Sequence, residues 1–163
     1  MTQLITSKDT SLNQVPATFK RVAWVSGNIN FDIGAGKYTK FTEALASVGV
    51  TNYSYDPYHL TYDENKNALM KTYAKADTVT VNNVLNVISE QTEQLAVIET
   101  ALKAVSLNGT AYFLIYEGNK SGNGKETTKG WQWNTKAEKY VDLIKVYFSN
   151  VQRKGNLIIA KYI

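Results

Sequence analysis

Residues 30–36 read Asn-Phe-Asp-Ile-Gly-Ala-Gly, and about twenty residues further on the chain runs Tyr53-Ser54-Tyr55-Asp56-Pro57. An apolar segment that enters a Gly-x-Gly turn and leaves it as an amphipathic stretch predicts strand, turn and helix. A second strand ending in a carboxylate completes a parallel β–α–β unit. Such a unit holds small ligands beyond the carboxyl ends of its strands. The first glycine permits a tight turn, the second lets a ligand approach the backbone, and Asp56 is placed to accept hydrogen bonds from two ribose hydroxyls. The ligand class this implies is a molecule carrying a nucleoside.

The turn narrows that class. A dinucleotide fingerprint needs glycine at position 39, where the chain has Thr39, and the longer Gly-Lys-Ser/Thr phosphate loop is absent too. The remaining pattern, Asp32-x-Gly34-x-Gly36, resembles motif I of the class I S-adenosylmethionine-dependent methyltransferases. In that family the acid and glycines surround the methionine part of a cofactor that carries a sulfonium and no phosphate. An acid in the turn is tolerable beside such a ligand and poor beside a pyrophosphate.

At 163 residues with 44% hydrophobic content, the chain can bury one sizeable core and has no room for a separate substrate domain. The expectation is a single domain, 1–163, with 1–14 as a mobile N-terminus. There is no run of eighteen apolar residues and no basic-apolar leader, so a cytoplasmic protein away from the membrane is expected. With no cysteine, disulfides, thiolate zinc sites and the three-cysteine cluster of radical enzymes drop out, as does a thiol nucleophile. His59 is the single histidine, so no metal site is expected.

Along the chain the pattern alternates. A helix is read over 15–26 from Val15, Phe19, Val22, Ala23 and Val25, with Pro16 near its start. A strand over 28–33, a helix over 37–48 ended by Gly49 and a strand over 52–56 follow. Residues 63–73 read as a helix, with a short strand near 72–74. Residues 78–84, rich in branched side chains, read as a central strand. The stretch 90–105 is an amphipathic helix, with Leu95, Ile98, Leu102 and Val105 on one face, closed by Asn108-Gly109. A buried strand follows over 110–116, then a polar loop over 118–134 that is too long for a bare connector. Thr135 and Glu138 form a capping-box pattern for a further helix. Residues 146–151 and 157–163 read as a hairpin around 152–156. The sum is an α/β, Rossmann-like three-layer sandwich, with a mostly parallel sheet and a C-terminal antiparallel hairpin.

The methyltransferase resemblance extends over 28–163. It implies S-adenosyl-L-methionine as cofactor, held by Asp32, Gly34, Ala35, Gly36, Asp56 and Pro57, with Asn82 and Asn83 facing the methyl group. Asp77 fits either the family's approach to that strand or a solvated strand start. The segment Asn82-Asn83-Val84-Leu85 lacks the Pro-Pro-aromatic grip of the amino-methyltransferases that act on adenine or cytosine. Together with Gly130-Trp131-Gln132-Trp133 it is faintly similar to small methyltransferase-like proteins of phage and DNA-phosphorothioation systems.

Charge gives a second clue. From residue 118 onward there are nine Lys/Arg against three Asp/Glu, so this part carries +6 within a total of +4. Lys120, Lys125 and Lys129 with Trp131 and Trp133 are candidates for substrate binding, holding phosphates by charge and a splayed base by stacking. The competing reading is a solvated loop whose tryptophans cover the sheet edge.

Methyl transfer from a sulfonium chiefly needs alignment and exclusion of water, with a proton acceptor in some cases. Tyr58, His59 and Glu117 are the catalytic candidates, since each follows a strand end. The alternatives are adenine or core packing for Tyr58, an exposed loop histidine and a solvated loop acid. The acceptor classes include nucleic acid, and the oligomeric state is monomer or homodimer. A cofactor-binding protein without transferase activity, or another nucleotide-binding Rossmann-like domain, are the competing functions.

Overall fold

Phe31 and Asp32 are neighbours that face opposite sides of one sheet, and that alternation organises the fold. The computed structural model describes residues 12–163. The expected mobile N-terminus falls mainly on 1–11, outside the described residues. In chain order the elements are α1 (Thr18–Arg21), β1 (Ile29–Ile33), α2 (Lys40–Ser47), β2 (Thr51–Tyr55), α3 (Tyr62–Thr72), β3 (Ala76–Asn82) and a 3-10 turn (Leu85–Val87). Then come α4 (Gln91–Ala104), β4 (Val105–Leu114), β5 (Gly124–Thr127), β6 (Gly130–Trp133), α5 (Glu138–Ile144), β7 (Asn150–Lys154) and β8 (Leu157–Lys161).

Six strands form one sheet in the order β2-β1-β3-β4-β8-β7. The first four pair in parallel, while β8 runs antiparallel to both β4 and β7. Phe31, Val79, Val81, Ala111 and Phe113 on one face pack with Ala68 of α3, with Ile98 and Ala101 of α4, and with Tyr140 and Ile144 of α5. The other face is covered by α2, whose Phe41 and Leu45 join Val50, Phe19 and Trp24 in a smaller cluster. Helices therefore lie on both faces, as the sequence predicts for a three-layer α/β sandwich.

Several boundaries differ, each for a physical reason. The helix expected over 15–26 shrinks to Thr18–Arg21, because the chain becomes extended at Val22 and Trp24 folds back to give its indole N–H to Phe19 O at 2.9 Å. No strand forms at 72–74. Thr72 ends α3, Ala74 takes φ 54°, and its N–H goes to Lys103 O. Asn108-Gly109 does not close α4. The helix passes directly into β4, and the pair sits inside a bulge where the register with β3 jumps from Ala76↔Val105 to Thr78↔Thr110. The buried stripe of α4 is Gln94, Ile98, Ala101 and Ala104, with Leu95 and Leu102 at its margin.

The loop expected over 118–134 contains a separate antiparallel pair, β5 with β6. The capping box at Thr135 is not formed. The N-cap of α5 is Ala137, with no side-chain cap of its own, and Glu117 Oε2 accepts the Ala137 N–H at 2.8 Å. The C-terminal hairpin is present, but its first arm is β7 at Asn150–Lys154 in place of 146–151, and the turn expected over 152–156 narrows to Gly155 and Asn156 because Gln152, Arg153 and Lys154 pair with β8. No helix among the described residues is long and apolar enough to cross a membrane.

Candidate functional site

β1 pairs with β2 on one side and with β3 on the other, so successive connections leave it in opposite directions and open a crevice at the carboxyl ends of these strands. A cavity of about 420 Å³ occupies that crevice, within the range of small-molecule sites. Its lining includes Asp32, Gly34, Ala35, Asp56, Pro57, Asn82 and Asn83. Segments from three strand ends are thus brought to one wall.

The glycine turn is built tightly. Gly34 and Gly36 take φ of 73° and 72°, the left-handed region that side chains disfavour. Gly34 and Ala35 both direct their N–H groups at Tyr55 O, at 2.8 and 3.2 Å, tying the turn to β2. A side chain on Gly34 would place its Cβ 2.5 Å from Val84 Cγ2. Gly36 borders a smaller hollow of about 270 Å³ on the far side of the turn.

Asp56 is buried and faces the turn. Its Oδ2 accepts the Gly36 N–H at 2.8 Å and its Oδ1 the Tyr58 N–H at 2.9 Å. The Asn65 amide brackets its backbone, accepting from Asp56 N at 2.8 Å and donating to Asp56 O at 3.1 Å. Each carboxylate oxygen keeps a second lone pair, so the group remains able to accept from a diol.

Asp32 is 5% exposed. Its Oδ1 accepts from Thr80 Oγ1 at 2.7 Å and from Asn82 Nδ2 at 3.5 Å. Burial pushes its carboxyl up to about 7, with the Asp56 charge adding to the rise and the bonds from Thr80 and Asn82 opposing it. Asn82 Oδ1 in turn accepts from Thr18 Oγ1 at 2.9 Å, which joins α1 to this wall. Asn83 adopts φ 56°, and its N–H bonds Leu114 O at 2.8 Å, fixing the backbone as it leaves β3.

The other candidates separate. Tyr58 lines the cavity. His59 lies one residue beyond, its N–H on Asp56 O at 3.3 Å, and is not among the cavity's walls. Glu117 is spent on capping α5. Lys120, Lys125 and Lys129 are exposed on the β5–β6 region. Trp131 and Trp133 meet edge to face, centroids 5.2 Å apart, over Gly124, where an added Cβ would come within 2.2 Å of Trp131 Cζ2. Trp133 Nε1 donates to Ile88 O at 2.7 Å, and Gln132 Oε1 accepts from Asn86 at 3.1 Å. Val87 and Ile88 are cavity walls, so the hairpin buttresses the cavity from behind.

Thr80, Asn30, Tyr38 and Asn65 were not singled out from sequence. The signal for the first two was available: Asn30/Asp32 and Thr78/Thr80/Asn82 alternate with apolar residues at period two, which marks one sheet face as polar.

No family model matches the chain, and no curated protein does. Solved structures do. One is 1,6-didemethyltoxoflavin-N1-methyltransferase of Burkholderia thailandensis with bound S-adenosylhomocysteine, at 12% identity and TM-score 0.63, covering 84% of this chain and 72% of that one. A second is a SAM-dependent methyltransferase of Methanosarcina mazei, at 14% identity and TM-score 0.61, covering 93% and 99%. The fold is that of the S-adenosylmethionine-dependent methyltransferases. A third match, SAM-bound CalS10 of Micromonospora echinaspora, an amino pentose methyltransferase, has 12% identity and TM-score 0.53 over 83% and 84%. Other matched proteins are longer: the chain covers 53% of PigF with SAH. Among the described residues no cluster of three or more acidic, histidine or cysteine groups is arranged to hold a metal ion.

Proposed function

We propose that the protein is a methyltransferase that uses S-adenosyl-L-methionine. The observation that carries this reading is the convergence of the acid-glycine turn, Asp56 and Asn82-Asn83 on one cavity at the switch point of the sheet. The donor and acceptor set suits the cofactor. Asp56 offers two carboxylate oxygens to a ribose diol. Asp32 offers a buried acceptor to a cationic amino acid end. Ala35 and Pro57 flank these groups on the same wall.

The bound cofactor would supply an activated methyl group, which leaves the chain the work of alignment and water exclusion. Asn82 and Asn83 line the part of the cavity assigned to the methyl, with Val84, Val87 and Ile88 as apolar walls. Tyr58 is the remaining cavity-lining candidate for a proton acceptor. Asp77 acts as a strand-start cap in this reading, since its Oδ2 accepts the Ile29 N–H at 2.8 Å.

A nucleic-acid acceptor is supported by the exposed Lys120, Lys125 and Lys129. The packing of Trp131 and Trp133 against Gly124 makes charge, rather than base stacking, the hairpin's contribution. The protein acts in the cytoplasm, as a single domain, alone or as a homodimer. Titration calorimetry with S-adenosylmethionine, S-adenosylhomocysteine and NAD tests the cofactor, and tight NAD binding without response to either adenosyl ligand overturns the proposal. Labelled-methyl transfer to pools of DNA, RNA, protein and small molecules then separates an enzyme from a cofactor-binding protein.

A further inference from the structure

The polar face of the sheet carries a continuous line of side-chain hydrogen bonds that ends on Asp32. Thr78 Oγ1 donates to Asn30 Oδ1 at 2.7 Å, and because Thr80 gives its one hydrogen to the Asp32 carboxylate, the Asn30 atom facing Thr80 is the amide nitrogen. Asn30 Nδ2 then gives one hydrogen to Asn52 Oδ1 at 2.9 Å and the other to Thr80 Oγ1 at 3.0 Å. The Thr80 hydroxyl, already accepting from Asn30, directs its only hydrogen at Asp32 Oδ1, at 2.7 Å. Asn30 and Thr80 are both fully buried. Asn52 anchors the far end, its amide donating to Thr42 Oγ1 at 2.9 Å.

We infer that Asn30 and Thr80 are positioning residues whose one-way hydrogen bonds hold Asp32 Oδ1 and so present Oδ2 to the cavity as the oxygen that receives a cationic ligand group. The identity of that cation, an ammonium beside a sulfonium, rests on the proposed function. The ladder rests on the geometry alone. Both groups on Oδ1, Thr80 and Asn82, are donors, so a neutral Asp32 carries its proton on Oδ2, the same oxygen that the cation claims. Ligand binding and proton release are thereby coupled at one atom. The ladder also accounts for four polar side chains, Asn30, Asn52, Thr78 and Thr80, on a sheet face where apolar ones would pack as well.

The charged and titratable groups that share the cavity with Asp32 are Asp56 and Tyr55 at the end of β2, Tyr58 beyond it, Tyr38 and Lys40 before and in α2, and Glu93 on α4. None belongs to the ladder, so altering Thr80 leaves them in place.

The test follows the Asp32 carboxyl by carbon-13 NMR in the ligand-free protein, comparing wild type, Thr80→Val and Thr80→Ser. Loss of the hydroxyl in Thr80→Val is expected to move the titration midpoint up by roughly half to one pH unit, and Thr80→Ser is expected to restore it. The pH at which S-adenosylhomocysteine affinity levels off, read by calorimetry, moves in parallel. An unmoved carboxyl midpoint in folded Thr80→Val overturns the inference. A moved midpoint without any binding of S-adenosylhomocysteine upholds the ladder and overturns the cofactor assignment. Should Thr80→Val not fold, the Asn30 side-chain amide protons of wild type decide. They shift with Asp32 titration if the ladder is intact, and their indifference to it refutes the proposal.

Discussion

Asp56 grips the backbone of Gly36: the carboxylate Oδ2 takes the glycine N–H at 2.8 Å across the turn, while Oδ1 holds Tyr58 N–H. The acid that ends β2 therefore shapes the glycine turn after β1 before any ligand arrives. Asp56→Ala removes both acceptors and leaves two backbone donors without them. A loss of about 1–3 kcal/mol in stability is expected from urea unfolding, with a similar loss in adenosyl-ligand affinity by calorimetry. Unchanged affinity would reject the ribose role and leave the turn-shaping one.

Gly34→Ala meets two obstacles, a left-handed φ and a Cβ 2.5 Å from Val84 Cγ2. A destabilisation of about 2–3 kcal/mol is expected. The double variant with Val84→Ala removes the clash but not the backbone strain, so it should regain only part of the loss due to Gly34→Ala, once Val84→Ala alone is subtracted. Full recovery would show that the φ costs nothing.

Asp32 makes stability fall as pH rises. Its carboxyl titrates near 7 in the folded chain against an ordinary value of 3.8. Below 3.8 both states hold the proton and the group contributes no penalty. Between those values the unfolded chain sheds the proton while the folded chain keeps it, and the penalty reaches its full size above about 7. Asp32→Asn should therefore stabilise the protein by about 1–3 kcal/mol near pH 8 and by little below pH 4, while weakening ligand binding. Urea midpoints across that range provide the check, and a uniform offset would contradict it.

If the β5–β6 region contacts a nucleic-acid backbone, replacing Lys120, Lys125 and Lys129 by Gln should weaken single-stranded oligonucleotide binding. It should also flatten the log-log salt dependence by about 2, near 0.7 per lost phosphate contact. Trp133→Phe, by contrast, loses the bond to Ile88 O and should show itself as lowered stability of about 1 kcal/mol. A salt slope unaffected by the lysine changes excludes this surface.

Glu117→Ala uncaps α5 and should cost about 1 kcal/mol, read by thermal or urea unfolding.

The parts of this architecture visible in the sequence are those written in local patterns. The strand containing Phe31, the turn at Gly34 and Gly36, and the carboxylate after Tyr55 all announce themselves within a few residues. So does the C-terminal hairpin, where Gly155 interrupts two strands. What stayed hidden depends on distant partners. Glu117 caps a helix twenty residues later, displacing the local Thr135 signal. The tryptophans of the β5–β6 pair look like an exposed stacking platform until Gly124, lacking a Cβ, is seen to admit both rings. Thr80 reads as one more branched strand residue, and only the pairing of β1 with β3 sets it on Asp32.

α1 links the cavity wall to the β7–β8 turn. Thr18 holds Asn82, while Arg21 bonds Asn156 Oδ1 at 2.6 Å and Lys154 O at 2.8 Å in the β7–β8 turn. Arg21 emerges long before Asn156 during synthesis, so this short helix is first held by Phe19 against Phe41 and by Thr18 on Asn82, and its fastening to the β7–β8 turn comes later. Through this one short helix the cavity wall at Asn82 and the turn at Asn156 share a support, so the ligand site is braced by residues that never touch it.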